Sequence, residues 1–155
     1  MVDQELAKIL RDLKAIGPSR KLFHYLDDNQ KPHSIKPFDI NNYLKGITST
    51  EFSAKDFRTW GGTLLAAIEL SELGKAEDEK QLKKNLVNAV KKVAEQLGNT
   101  PTVCRSSYIH PTVIYAYQNG ITLDEFTPKK RRRIKRIEND YEPEEKALLK
   151  LFQAK

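Results

Sequence analysis

Tyr108, Arg58 and Asn99 are the residues of this chain whose chemistry asks most of their surroundings. Tyr108 lies in "LGNTPTVCRSSYIHP", residues 97–111, between a polar run and His110-Pro111. A tyrosine in such a place is either a half-buried packing residue or a nucleophile. As a nucleophile it needs help, because a phenol ionises only near pH about 10. Nearby positive charge would favour the phenolate and stabilise the phosphorane-like transition state of an attack on phosphorus. Arg58 and Arg105 can supply that charge if the fold brings them together. Arg58 falls in the second turn of an expected helix, with Lys55 one turn earlier, where cations oppose the helix macrodipole. Either Arg58 faces solvent, or a phosphate sits there, since a guanidinium fork beside a helix N-terminus suits a phosphodiester. Asn99 stands at a junction between two helices, nine residues before Tyr108. Its amide can donate to a phosphate oxygen, or it can serve only as a helix-end residue.

The remaining chemical side chains point to less. His110 precedes Pro111 and reads as turn chemistry rather than as a base. His24 and His33 share no metal-ligand spacing with His110 or with Cys104, so no metal site is expected. No glycine-rich phosphate loop occurs, which leaves nucleotide hydrolysis unsupported. Cys104 is the single cysteine, so no internal disulfide can form and a reducing compartment fits.

The elements that must position these residues read almost entirely as helix. Residues 4–16 put Leu6, Ile9, Leu10, Leu13 and Ile16 on one face, and Gly17-Pro18 stops them. "KLFHYLDDNQKPHSI" holds a short strand and a turn around Asp27 to Lys31. "FDINNYLKGI" is a short helix expected to turn Phe38, Tyr43, Leu44 and Ile47 inward. Ser53 and Asp56 form a capping-box pattern that starts a helix at Ala54. Phe57, Trp60, Leu64, Leu65 and Ile68 are its expected apolar stripe, and Gly74 its stop. A further helix over roughly 78–97 carries Leu82, Leu86, Ala89, Val90, Val93, Ala94 and Leu97 at helical offsets, ended by Gly98. Thr100-Pro101 opens a short helix ending near Tyr108. His110-Pro111 opens another, closed by Asn119-Gly120. Thr122 and Glu125 suggest one more capping box. "EPEEKALLKLF" is a final helix with acidic residues in its first turn. The expected fold class is therefore mainly α, a multi-helix domain with at most a minor β element.

With 155 residues, 39% hydrophobic and 31% charged, the chain fits one soluble domain with a sizeable core. Its net charge of +6 favours a polyanionic partner, because cations set against a nucleic acid release condensed counterions. The basic run at 129–136 is a DNA-contacting segment, an import patch or a solvated loop. No membrane-length apolar run and no leader pattern is seen, so a cytoplasmic place without membrane contact is expected.

"AKDFRTWGGT", followed some forty residues later by "LGNTPTVCRSSYIHP", closely resembles the C-terminal catalytic region of type IB DNA topoisomerases of the small bacterial and poxvirus kind. "LFHYLDDNQKPHSIKPFDINNYLKGIT" resembles the stretch preceding that region. The resemblance implies the multi-helix catalytic fold and double-stranded DNA as partner. It also implies a tyrosine that forms a transient 3′-phosphotyrosyl link while supercoils relax, without metal or nucleotide cofactor. Tyr108 matches the nucleophile, Arg58 one phosphate-clamping arginine, and Asn99 a phosphate-donor position that is His in some relatives and Asn in others. Arg105 is a candidate DNA contact. Lys55 matches no catalytic position and is kept only as a basic residue near the DNA. In the free protein Tyr108 is expected out of hydrogen-bond reach of Arg58, since catalytic geometry often tightens only on substrate.

The family also uses a second arginine and a β-hairpin lysine that protonates the leaving 5′-oxygen. No segment before Lys55 reproduces either motif. The chain is therefore expected to be the C-terminal part of the catalytic domain, with the DNA-clamp domain and catalytic hairpin outside these 155 residues. A separate N-terminal topoisomerase fragment is then a candidate partner, and the piece alone is expected to be a slow or inactive monomer in a bacterial nucleoid. A tyrosine recombinase shares the chemistry, but its boxes place His before the Arg and Leu-Gly-His before the Tyr, where Lys55 and Asn99 stand here. A non-catalytic DNA-binding module that keeps the fold and loses the reaction is the third reading.

Overall fold

The computed structural model describes residues 3–16, 21–48, 51–127 and 142–154. The described elements run in the order α1 (Gln4–Ile16), β1 (His24–Leu26), β2 (Pro32–Ser34), α2 (Pro37–Thr48), α3 (Ala54–Leu73), α4 (Glu79–Leu97), α5 (Pro101–Ser107) and α6 (Pro111–Gln118). A 3-10 turn (Leu123–Glu125) and α7 (Pro143–Gln153) follow. The mainly helical class expected from the periodicities is what forms, with one two-stranded sheet as the β element among the described residues. The basic run at 129–136 lies outside the described residues. Two compact units are present, Met1–Ala54 and Lys55–Lys155.

In the first unit β1 and β2 pair antiparallel, with Tyr25 opposite His33. The turn between them is organised by Asp27, whose carboxylate accepts the amides of Asn29 and Lys31 at 3.0 and 2.9 Å. Its second oxygen meets His33 Nε2 at 2.9 Å, and the Tyr25 ring stacks on His33 at 5.5 Å. The backbone bond from Lys31 and then the His33 contact hold the Asp27 carboxyl below its ordinary value.

Neither helix of this unit buries a residue. The expectation that Phe38, Tyr43 and Ile47 turn inward is overturned: they are 70%, 68% and 60% exposed. The α1 face is likewise open at Leu6 and Ile9. Helical periodicity identifies an apolar face, not whether anything covers it, and a unit this small has little interior to offer.

The second unit holds the core. Leu86, Val90 and Val93 of α4 pack with Ala66 and Leu70 of α3, Cys104 of α5, Val113 of α6 and Leu148 of α7. The α4 stripe is buried where its period places it, between Asp78 as N-cap and left-handed Gly98 as stop. The α3 stripe is displaced from expectation. Phe57 is exposed, and the most buried face is Gly62, Thr63, Ala66, Ala67 and Leu70. Small residues there let neighbouring backbone come close, while Trp60, Leu64, Leu65 and Ile68 flank the contact. Trp60 Nε1 donates to Glu145 Oε1 at 3.2 Å, and the other Glu145 oxygen accepts the Glu142 amide at 2.9 Å. One carboxylate thus caps α7 and ties it to α3. The capping box expected at Thr122 and Glu125 does not form. Thr122 makes no side-chain cap, and Glu125 Oε1 instead meets Lys75 Nζ at 2.9 Å.

Candidate active site

α3, the end of α4 and α5 build the surroundings of Tyr108. The end of α4 is closed by backbone bonds, with Asn99 N–H donating to Ala94 O at 2.9 Å while Gly98 sits at φ 63°. That pairing across a left-handed glycine is a Schellman closure. The Leu97 carbonyl is taken by two side chains. Arg58 Nη2 donates to it at 2.8 Å and Asn99 Nδ2 at 3.1 Å. A guanidinium opposing the dipole of its own helix has therefore found the negative end of the next one.

Immediately after Asn99, Thr100 accepts the Val103 amide at 3.3 Å and Pro101 occupies the first turn, so α5 starts where those residue types predict. It lasts two turns and ends at Tyr108, whose N–H donates to Cys104 O at 2.9 Å. The Arg58 guanidinium carbon lies 5.1 Å from the centroid of the Tyr108 ring, a cation–π distance. The Tyr108 hydroxyl has no hydrogen-bond partner among the described residues, and Arg58 engages the face of its ring. The structure thus brings together Tyr108, Arg58 and Asn99. Arg105, three residues before Tyr108, lines a groove between α4 and α5 instead. Lys55 is exposed in the first turn of α3.

Two further groups complete the setting. Cys104 is fully buried on α5. Burial pushes its thiol up, and the Arg58 charge works against that to a smaller extent. His110 caps α6, its Nδ1 accepting the Thr112 amide at 3.3 Å, and its ring meets Phe152 edge-on at 5.1 Å. It behaves as the turn residue its position before Pro111 suggests. Among the described residues no group of three His, Cys, Asp or Glu side chains is placed to hold a metal ion.

The family described as "Eukaryotic DNA topoisomerase I, catalytic core" matches residues 1–137. The chain belongs to the DNA topoisomerase I catalytic-core family. It is also 37% identical over 108 residues to the DNA topoisomerase 1B of Acanthamoeba polyphaga mimivirus. That match takes in 64% of this chain and 32% of the viral protein, so the chain spans about a third of that relative's length.

In this topoisomerase-family chain, the residues that hold Tyr108 were not singled out by sequence. A Cβ on Gly62 would lie 2.6 Å from the Tyr108 carbonyl oxygen, 3.1 Å from Leu97 Cδ1 and 3.2 Å from Tyr108 Cβ. Only a glycine allows that approach. Next to it, buried Thr63 accepts the His110 amide at 3.0 Å and donates to Thr59 O, with Tyr108 O at 3.3 Å. Thr59 Oγ1 lies 3.3 Å from Ser107 O. One turn of α3 therefore grips the backbone on both sides of the tyrosine. The signal available beforehand was a Gly-Gly pair inside a helix, which costs stability unless packing needs it.

Proposed function

We propose that this chain acts on duplex DNA as the tyrosine-bearing part of a type IB topoisomerase. Tyr108 Oη attacks a backbone phosphorus and the bond from phosphorus to the 5′-oxygen breaks. The proton lost by the phenol is balanced by one delivered to the 5′-oxygen, which departs as a hydroxyl. The 3′-phosphotyrosyl link keeps the phosphodiester energy, so the 5′-hydroxyl end can rotate and then re-attack without an external energy source. Arg58 and Asn99 donate to the non-bridging oxygens, where negative charge grows in the transition state. Arg105 and Lys55 are nearby DNA contacts. In keeping with the viral relative's length, the general acid and second arginine come from a further segment or a separate N-terminal chain. One copy of this chain serves each cleavage site on the DNA, in a reducing, nucleoid-like setting.

The observation that carries this reading is the cluster itself: Arg58 lies over the Tyr108 ring and shares the Leu97 carbonyl with Asn99. Covalent capture tests it. The protein and a Tyr108→Phe variant are mixed in EDTA with a nicked duplex that traps a 3′-phosphotyrosyl adduct, then run on a denaturing gel. A shifted band from the parent alone is expected. A band that persists in Tyr108→Phe would remove Tyr108 from the role. No band from the parent, with DNA binding intact, would favour a binding module that has lost the reaction.

A further inference from the structure

The cations of α4 divide into two groups. Lys83 and Lys92 are engaged with carboxylates, Lys83 with Glu79 at 2.6 Å and Lys92 with Glu69. Lys80, Lys84 and Lys91 are exposed and make no ion pair among the described residues. Their spacing of four and seven residues puts them on one helix face, across about 16 Å of axis at 1.5 Å per residue. The face opens at Lys91 into a groove of about 530 Å³ between α4 and α5. Arg105 lines that groove from the α5 side, with the hydroxyls of Thr102 and Ser106 beside it. No carboxylate lines it, and Glu95, one turn past Lys91, ends the run.

We propose that Lys80, Lys84, Lys91 and Arg105 form a track for the phosphodiester backbone of the DNA arm leading away from Tyr108. The inference rests on the reading of this chain as a DNA-acting protein and adds a surface to it. Two features select DNA over a small anion. The cations are strung in a line rather than gathered around a point, and each DNA strand presents one phosphate per 3.4 Å or so of duplex axis. Hydroxyls set among cations also suit phosphate oxygens, which accept hydrogen bonds from both. The track joins the candidate site through α5, since Arg105 and Tyr108 lie within one turn of each other on that helix and its cap.

Binding of the full chain to a fluorescent, un-nicked duplex, followed by anisotropy over a range of salt, tests the track without needing catalysis. Each cation that neutralises a phosphate contributes about 0.9 to the slope of log affinity against log salt. Lys84→Ala, Lys91→Ala and Arg105→Ala should each lower the slope by about that amount. Lys75→Ala, which removes a lysine paired with Glu125 outside the track, should leave it unchanged. Unaltered slopes in all three track variants, with the parent bound to DNA, would overturn the track and leave Tyr108 untouched. A parent that binds no duplex overturns the track and the DNA reading together. Polyglutamate bound with the same residue dependence as DNA would assign the face to an acidic protein instead and overturn the proposal. Slope losses without a Tyr108-dependent adduct would keep the track and fail the nucleophile.

Discussion

Arg58 and Asn99 donate to the same oxygen, the Leu97 carbonyl, at 2.8 and 3.1 Å. Two side chains separated by most of α3 and all of α4 thus converge on one acceptor beside the Tyr108 ring. The acceptor is an unpaired end carbonyl of a helix, a group that must find a donor somewhere. The arrangement holds both donors in place through an internal acceptor. Both groups keep further N–H donors, so a phosphate oxygen arriving beside that carbonyl would meet side chains already ordered, and a charged oxygen is the stronger acceptor of the two.

Removing these donors should therefore separate chemistry from folding. Arg58→Ala is expected to lower the rate of covalent adduct formation by about 10²–10³-fold, the usual effect of losing one transition-state donor. Asn99→Ala should fall less, because a neutral donor stabilises developing charge less than a guanidinium does. Asn99→His should keep most of the rate, since an imidazole N–H can donate in place of the amide. Single-turnover capture on the nicked duplex measures all three. Equal rates for Arg58→Ala and the parent would remove Arg58 from the site.

Gly61 and Gly62 offer a paired test of how α3 holds the tyrosine. A methyl at Gly62 would sit 2.6 Å from the Tyr108 carbonyl oxygen, a backbone atom that cannot swing aside, while one at Gly61 meets nothing within 4 Å. Gly62→Ala should cost about 1–3 kcal/mol through overpacking and weaken adduct formation by displacing Tyr108. Gly61→Ala should be neutral or stabilising by up to about 1 kcal/mol, as replacing a mid-helix glycine usually is. Urea denaturation of the two variants gives the comparison directly, and equal midpoints would contradict the close approach.

Which features were legible beforehand follows from what residue type encodes. Most caps and stops were readable because they are local, although the Thr122 and Glu125 pattern forms no capping box. Thr100 and His110 cap the helices they precede, and Gly74 and Gly98 adopt the positive φ that ends a helix. The α4 face was readable because its period is regular. The Leu97 convergence was not, because spacing along the chain carries no information on which carbonyl an arginine reaches. The core face of α3 was misplaced for a related reason. Gly62 and Thr63 are not apolar side chains, yet both are buried because backbone must come close there. The Phe38, Tyr43 and Ile47 pattern failed in the other direction, as an apolar face that the described fold leaves open.

Cys104 should report on the integrity of this region through pH. Its thiol is pushed above the ordinary value by burial, so the neutral form is favoured in the folded protein. The unfolded chain then loses the thiol proton at lower pH than the folded one. The stabilisation is full below the unfolded value and is lost as pH rises through the folded value. Unfolding midpoints measured between about pH 7 and 10 should fall more steeply in the parent than in Cys104→Ala. Alkylation of Cys104 should be slow in the native protein and fast in urea. Arg58→Ala, by removing that opposing charge, should raise the thiol further and slow native alkylation more. Native alkylation at the rate of a free thiol would contradict the burial.

The last test concerns the frame rather than the site. Tyr117 Oη accepts from Asn85 Nδ2 at 2.7 Å and donates to Gly74 O at 2.7 Å, with both side chains buried. The hydroxyl therefore joins α4, α6 and the turn that follows α3. Tyr117→Phe keeps the ring and leaves an amide and a carbonyl without their partner. Each such loss costs about 1–3 kcal/mol when the group is buried, and in a chain of this size one kcal/mol lowers Tm by about 2–4 °C. Because the three residues act as one unit, Asn85→Ala combined with Tyr117→Phe should destabilise by less than the sum of the single changes. The adduct rate, measured well below the lowered Tm, should stay close to the parent's, since Gly74 ends α3 more than four helical turns from Arg58. An unchanged Tm in Tyr117→Phe would show that water satisfies the amide and the carbonyl as well as the phenol does.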